Sequence, residues 1–169
     1  PISTQLNLEH CEIITKNKGV QFINVFHEKN PQYSLEEVEM VKKVVNDLMG
    51  QPIIKDGEQR VITKEDIIIV SPYNLQVSKL KKELPDFNIG SVDLFQGQEA
   101  PIVIYSLGAS EAASRGLEFL LNPNRTNVAL SRGKCLAIMI GSEAILNSKT
   151  EKMEELKLLN MFSELIKLS

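Results

Sequence analysis

Tryptophan is absent from this chain of 169 residues, and cysteine occurs only twice. Cys11 and Cys135 lie too far apart to suggest a disulfide framework, which excludes the small secreted scaffolds that replace a core with cross-links and points to a reducing, intracellular (cytoplasmic or similar) setting. Cys135 heads an apolar run, where a buried thiol is expected. His10 stands beside Cys11, but His27 is the only other histidine, so no pair of ligand pairs exists for a zinc-type site and no metal is expected on this chain. Long apolar runs are missing too. Ile67–Val70 and Leu136–Ile140 fall far short of the roughly 20 residues that span a bilayer, and the expectation is a soluble protein. No basic leader with an apolar stretch is present, and the opening Pro1-Ile2-Ser3-Thr4 reads as cut from a longer polypeptide. Positive charge is also scarce. With 19 Lys and Arg against 22 Asp and Glu, the net charge is −3, so any contact with nucleic acid must come from a local concentration of cations.

What remains is an ordinary globular composition, 43% hydrophobic and 24% charged, at the length of one domain. From Gly19 to Phe26 the β-branched and aromatic residues read as a strand. Ser34-Leu35-Glu36-Glu37 has the form of a capping box, and Val38, Val41, Val45 and Leu48 recur at helical spacing up to Gly50. Residues 51–65, with Pro52 and Asp56-Gly57, read as a loop or short irregular hairpin. Ile67–Val70 is an unbroken apolar run, as in a central parallel strand covered on both faces. Ser71-Pro72 then supplies a helix cap and an N1 proline, with Leu75, Leu80 and Leu84 as the apolar stripe. Ile89–Val92 and Ile102–Leu107 are further strands, separated by a polar loop, and 108–116 reads as a mobile loop of small residues. A helix is predicted after Pro123, a closing strand over Leu136–Ile140, and a tail helix capped at Ser148 with an unusually wide apolar face. Repeated strand–helix units imply an α/β domain with a mostly parallel sheet.

Several signatures of chemistry are missing. Gly133-Lys134 is followed by Cys135 and lacks the upstream glycine of a phosphate-binding P-loop, and neither a dinucleotide turn nor a nucleophile elbow occurs. Two polar stretches stand out instead. Residues 91–99, Ser-Val-Asp-Leu-Phe-Gln-Gly-Gln-Glu, gather hydrogen-bonding groups around Gly97, although a solvated turn is the simpler explanation on chemistry alone. Residues 124–134 hold Arg125, Arg132 and Lys134 with no acid, in a chain that is acidic overall. On a helix, Arg125 and Arg132 would share a face about 10 Å apart along the axis, each presenting the planar fork that suits phosphate; for either one taken singly, a surface ion pair competes evenly.

These residues carry a resemblance. Ser71-Pro72-Tyr73-x-x-Gln76, Ser91-Val92-Asp93-x-Phe95-Gln96-Gly97-x-Glu99 and Asn127-Val128-Ala129-Leu130-Ser131-Arg132-Gly133-Lys134 resemble motifs IV, V and VI of superfamily 1 helicases. The similar subgroup contains the nonsense-mediated-decay RNA helicase, senataxin and the Dna-two-type helicase-nuclease, and the match spans about residues 19–146. The resemblance implies the second RecA-like domain of a helicase core, a three-layer P-loop NTPase-like fold with helices on both faces of the sheet. It divides the chain into a leading segment 1–18, the RecA-like domain 19–147 and a C-terminal helix 148–169.

The implied roles follow position by position. Arg132 resembles the arginine finger that reaches the γ-phosphate across the interdomain cleft. Glu99 resembles the acid that meets the ribose, while Gln96 and Gly97 resemble the loop that links nucleotide to nucleic acid. Arg125 falls on the nucleotide side of motif VI, and Ser91, Gln76, Asp93 and Tyr73 fall on the strand-binding side, although for Tyr73 packing at the end of the strand stands slightly ahead of ligand contact, as amphipathic aromatics commonly do this. Three departures from the family pattern occur. Asn124 replaces a basic residue, which favours a structural role for Arg125; Ser131 replaces Thr, keeping the hydroxyl; Gly133 replaces Ala, so the helix is expected to end there. The resemblance further implies ATP with Mg2+, whose ligands belong to a first RecA-like domain outside this chain, and single-stranded DNA or RNA as partner. An alternative of another class is a RecA-like binding or regulatory module without turnover, and a stand-alone small-molecule enzyme ranks last because no nucleophile, metal cluster or acid–base pair is identifiable.

Overall fold

The computed structural model describes residues 4–30, 32–95, 97–110 and 116–169. In chain order the elements are β1 (Thr4–Leu6), β2 (Gly19–Asn24), α1 (Leu35–Leu48), β3 (Pro52–Lys55), β4 (Glu58–Val61), β5 (Ile67–Val70), α2 (Asn74–Glu83), β6 (Asn88–Gly90), β7 (Ala100–Ser106), α3 (Gly116–Leu120), α4 (Pro123–Ser131), β8 (Gly133–Gly141) and α5 (Met153–Leu168). Five strands form one sheet in the order β2-β8-β7-β5-β6, with every pairing parallel.

Parallel strands covered on both faces need apolar residues at successive positions, and alternate side chains then feed two separate layers. Ile67 and Ile69 of β5, Ile102 and Ile104 of β7, and Leu136 and Ile138 of β8 pack with α1 and α2. Ile68, Val70, Val103, Tyr105, Ala137 and Met139 pack with α3, α4 and α5 on the other face. The fold is thus the α/β three-layer sandwich of a RecA-like domain, as expected.

The segment 51–65 is a regular hairpin, β3 against β4, turned at Asp56 (φ 51°) and Gly57 (φ 82°). β1 adds antiparallel to β3, so the start of the chain joins a second, three-stranded sheet. Leu6, Leu8 and Ile14 enter the same apolar layer as Ile53.

Helix starts differ from expectation in two places. Ser71-Pro72 does not cap α2: the helix opens at Asn74 after Tyr73, and Ser71 Oγ accepts from the Tyr73 N–H instead. Leu75 is 47% exposed, and the buried face of α2 is Gln76, Val77 and Leu80. Ser148 closes a short 3-10 turn over Glu143–Asn147, and α5 begins only at Met153 with Lys152 before it. A short helix, α3, occupies the end of the stretch read as a loop; residues 111–115 of that stretch lie outside the described residues, and Ala109 and Ser110 before them are buried. Cys135 is only partly buried, its thiol 3.4 Å from the Thr4 carbonyl at the junction of the two sheets. The wide apolar face of α5 is used on one side, where Leu158, Leu159 and Phe162 are buried; Met153, Met161 and Leu168 remain exposed. Among the described residues no helix is long and apolar enough to cross a membrane.

Candidate functional site

All strands of a parallel sheet begin at one rim and end at the other, so a residue's place relative to its strand assigns it to a rim. Glu99 immediately precedes β7 and Arg132 immediately precedes β8. The Ala100 N–H donates to the Arg132 carbonyl at 3.0 Å, and Ala100 is in register with Gly133. These two residues, far apart in sequence, are therefore neighbours at the N-terminal rim. Gly97 is exposed on the approach to that rim with φ +81°, a conformation that favours glycine. Gln96 lies outside the described residues.

The helix α4 ends at Ser131, whose hydroxyl turns back to the Val128 carbonyl at 2.8 Å. Arg132 is the residue after it, still helical at φ −72° and ψ −21°. Its Nε is buried without a hydrogen-bond partner, and among the described residues no carboxylate pairs with it. A desolvated donor left unmatched is costly. Gly133 is forced by space: a Cβ there would lie 2.5 Å from the Leu136 carbonyl oxygen and 2.9 Å from Val103. Helix α4 accordingly stops before Gly133, as expected.

Sequence reasoning assigned no role to Lys134 beyond local charge. Its Nζ stands 3.5 Å from the Glu99 carboxylate, with both side chains 51% exposed. Such an exposed pair contributes about 0–1 kcal/mol.

The other rim gathers the ends of β5 and β6, where the Ser71 N–H donates to the Gly90 carbonyl at 3.3 Å. Ser91 is partly buried there and Asp93 is exposed. Tyr73 is 5% exposed, with its ring 5.2 Å from that of Phe119. The Arg125 guanidinium lies 4.3 Å from the same Phe119 ring and donates to the Phe119 carbonyl at 2.8 Å. Arg125 thus packs within the lobe at one end of α4, with Arg132 at the other. Gln76 is wholly buried, bonded to Ser34 and Ser106. Among the described residues no group of three or more His, Cys, Asp or Glu could hold a metal ion. Burial holds both thiols in their protonated form, pushing Cys11 up to about 11 with help from Asp47, and raising Cys135 against the opposing pull of Lys134.

Sequence reasoning also passed over Glu37. The capping box is only half made: Ser34 Oγ accepts from the Glu37 N–H at 3.1 Å, while the Glu37 carboxylate turns inward to His27, Ser106 and Gly108. A glutamate on the apolar face of a helix, one position before Val38, was the available signal.

Sheet order, doubly covered faces and the split of polar residues between two rims define a RecA-like lobe. The chain belongs to the AAA domain family, whose pattern matches residues 5–144, and it is a distant relative of superfamily 1 helicases. It is 34% identical over 163 residues to the putative helicase MOV-10 of Gallus gallus, a match covering 78% of this chain and 16% of that protein. It is 37% identical over 95 residues to the RNA helicase Mov10l1 of Mus musculus, covering 50% and 8%. With the DNA replication ATP-dependent helicase/nuclease dna2 of Schizosaccharomyces pombe the identity is 38% over 104 residues, covering 60% and 7%. The chain therefore spans less than a fifth of the length of these relatives.

Proposed function

We propose that this chain is the C-terminal motor lobe of an intracellular ATP-dependent helicase or translocase, contributing half of an ATP cleft and part of a single-strand-binding surface. The N-terminal rim is the nucleotide side. Arg132 stabilises charge on the transferred γ-phosphoryl group, Glu99 meets the ribose, and Gln96 with Gly97 carries the connection towards the strand. The C-terminal rim is the strand side, where Ser91 and Asp93 face the nucleic-acid backbone, while Tyr73 is buried against Phe119, which Arg125 braces. The observation that supports this reading is that Arg132 and Glu99 stand at the starts of β8 and β7, the paired strands joined there by the Ala100 N–H on the Arg132 carbonyl at 3.0 Å.

ATP brings Mg2+, whose ligands are assigned to the first RecA-like domain of the same polypeptide; no step here runs through a metal held by this lobe. Closure of the two domains puts the guanidinium against the phosphates, where a fixed charge lowers the barrier without reorganisation. Affinity for the strand comes largely from phosphates and is sensitive to salt. The test is ATP hydrolysis by the complete polypeptide with and without single-stranded DNA or RNA. Arg132→Ala is expected to lower stimulated turnover by roughly 10³–10⁵-fold, and unchanged turnover refutes the assignment.

A further inference from the structure

Beneath the C-terminal rim lies a group of buried polar side chains that the nucleotide and strand contacts leave unused. His27 and Glu37 are fully enclosed, with His27 Nε2 2.7 Å from Glu37 Oε2. Glu37 Oε1 accepts from the Ser106 hydroxyl at 2.8 Å and from the Gly108 N–H at 2.9 Å. Ser106 Oγ accepts from Gln76 Nε2 at 3.0 Å. The Gln76 amide then closes on Ser34, accepting from its N–H at 2.8 Å and donating to its carbonyl at 3.3 Å.

Elementary donor and acceptor rules orient the whole chain. The Glu36 carboxylate can only accept, so the Asn30 atom 3.1 Å from it is the amide nitrogen, and that nitrogen also lies 2.9 Å from His27 Nδ1. His27 Nδ1 therefore accepts, and Nε2–H donates to Glu37. Ser106, receiving a proton from Gln76, gives its single hydroxyl proton to Glu37. The links through Asn30 Nδ2 and His27, and through Gln76 Nε2 and Ser106, converge on one buried carboxylate, which is matched on both oxygens; satisfied networks of this kind fix one arrangement of the groups that make them.

The segments so joined are the ones that shape the C-terminal rim. They are the turn after β2, the start of α1, the first turn of α2 and the residues following β7. Asn30 and Ser110 add a reciprocal pair, with the Ser110 N–H on the Asn30 carbonyl at 2.8 Å and the Asn30 N–H on Ser110 Oγ at 3.1 Å. Gly108 has φ +75°, and a Cβ there would stand 3.0 Å from the Gln76 side chain. The backbone at the end of β7 thus rests directly on Gln76.

We propose that Gln76 is a positioning residue for strand binding: through Ser106, Glu37 and His27 it holds the C-terminal rim in its binding shape from inside the lobe, without touching the strand. The proposal rests on the reading that this rim binds a single strand. The test is a double-mutant cycle in the complete polypeptide, with affinity for a labelled oligouridylate and a matching oligothymidylate measured per folded molecule. Gln76→Ala and Glu37→Gln are each expected to weaken binding about tenfold, with the double variant no weaker than the worse single one, as for residues of one network. Ser106→Ala replaces Glu37→Gln in the cycle if that variant fails to fold. Losses that multiply in the double variant overturn the proposal, because Gln76 then acts on the strand independently of the relay. A lowered thermal midpoint with affinity intact overturns it as well, leaving a purely structural network. Ser91→Ala, measured in parallel, separates the two levels. If Ser91→Ala weakens binding and Gln76→Ala does not, the positioning role fails alone; if neither changes affinity, the reading of the rim fails and the proposal falls with it.

Discussion

Asp47, near the end of α1, belongs to no motif, yet it fastens residues 11–14 to the lobe. Its Oδ1 accepts from the Glu12 N–H at 2.8 Å, and Oδ2 from Ile13 and Ile14 at 2.9 and 3.1 Å. Partial burial pushes the Asp47 carboxyl up, but the N–H groups of Glu12, Ile14 and Ile13 outweigh it, and the net displacement is below the usual carboxylate value. The sign follows by linkage: the stabilisation is fully present above the unfolded value of about 3.9 and is lost as pH falls through the lower folded value. Asp47→Ala is expected to cost about 2–3 kcal/mol at neutral pH, as for hydrogen bonds to a charged group. The gap between wild type and variant in denaturant titrations should shrink only below about pH 4. Legibility at this scale divides by location. Arg132 and Glu99 could be placed from their motifs because each adjoins a strand that its own apolar run betrays. Gln76 was legible as a motif residue but not as a buried one, and Glu37 only as part of a cap, because their partners, Ser106 and His27, are 30 and 10 residues away and no local pattern links them.

Among the elements, α5 shows most clearly how an apolar face is divided. Phe162 is 4% exposed and meets Phe22 of β2 edge to face, with ring centroids 5.6 Å apart. Phe162→Ala is expected to destabilise the protein by about 3–5 kcal/mol, seen as an earlier midpoint in chemical denaturation; the same change at exposed Leu168 should move the midpoint little. The period of α5 was readable, but its start was not, since Ser148-Lys149-Thr150-Glu151 has the capping sequence while Ser148 is already committed to the preceding turn. The hairpin of β3 and β4 was only half readable for a related reason. Its strands are short and mostly exposed, so tertiary pairing with β1, which local alternation does not report, makes them regular.

At the scale of the whole molecule, the proposed function divides its contacts between the two rims and assigns this lobe a partner. Under the proposed function Arg132 and Glu99 would offer one cation and one carboxylate to a nucleotide, and the sequence carries no phosphate-cradling loop to accompany them. The polypeptide of residues 1–169 alone is expected to hydrolyse no ATP, checked by phosphate release across ion-exchange fractions; turnover that tracks the protein through the column contradicts the two-lobe arrangement. Parallel order and both covered faces were legible from the unbroken apolar runs, because only strands buried above and below dispense with alternation.

Residues 91–99 lead from the end of β6 to the start of β7, and in their first half Val92 and Phe95 are buried in a 3-10 turn within the apolar layer beside α3, α4 and α5. A path stapled to the core in this way keeps the backbone after Ser91 seated, so that a change at that serine meets packed side chains first.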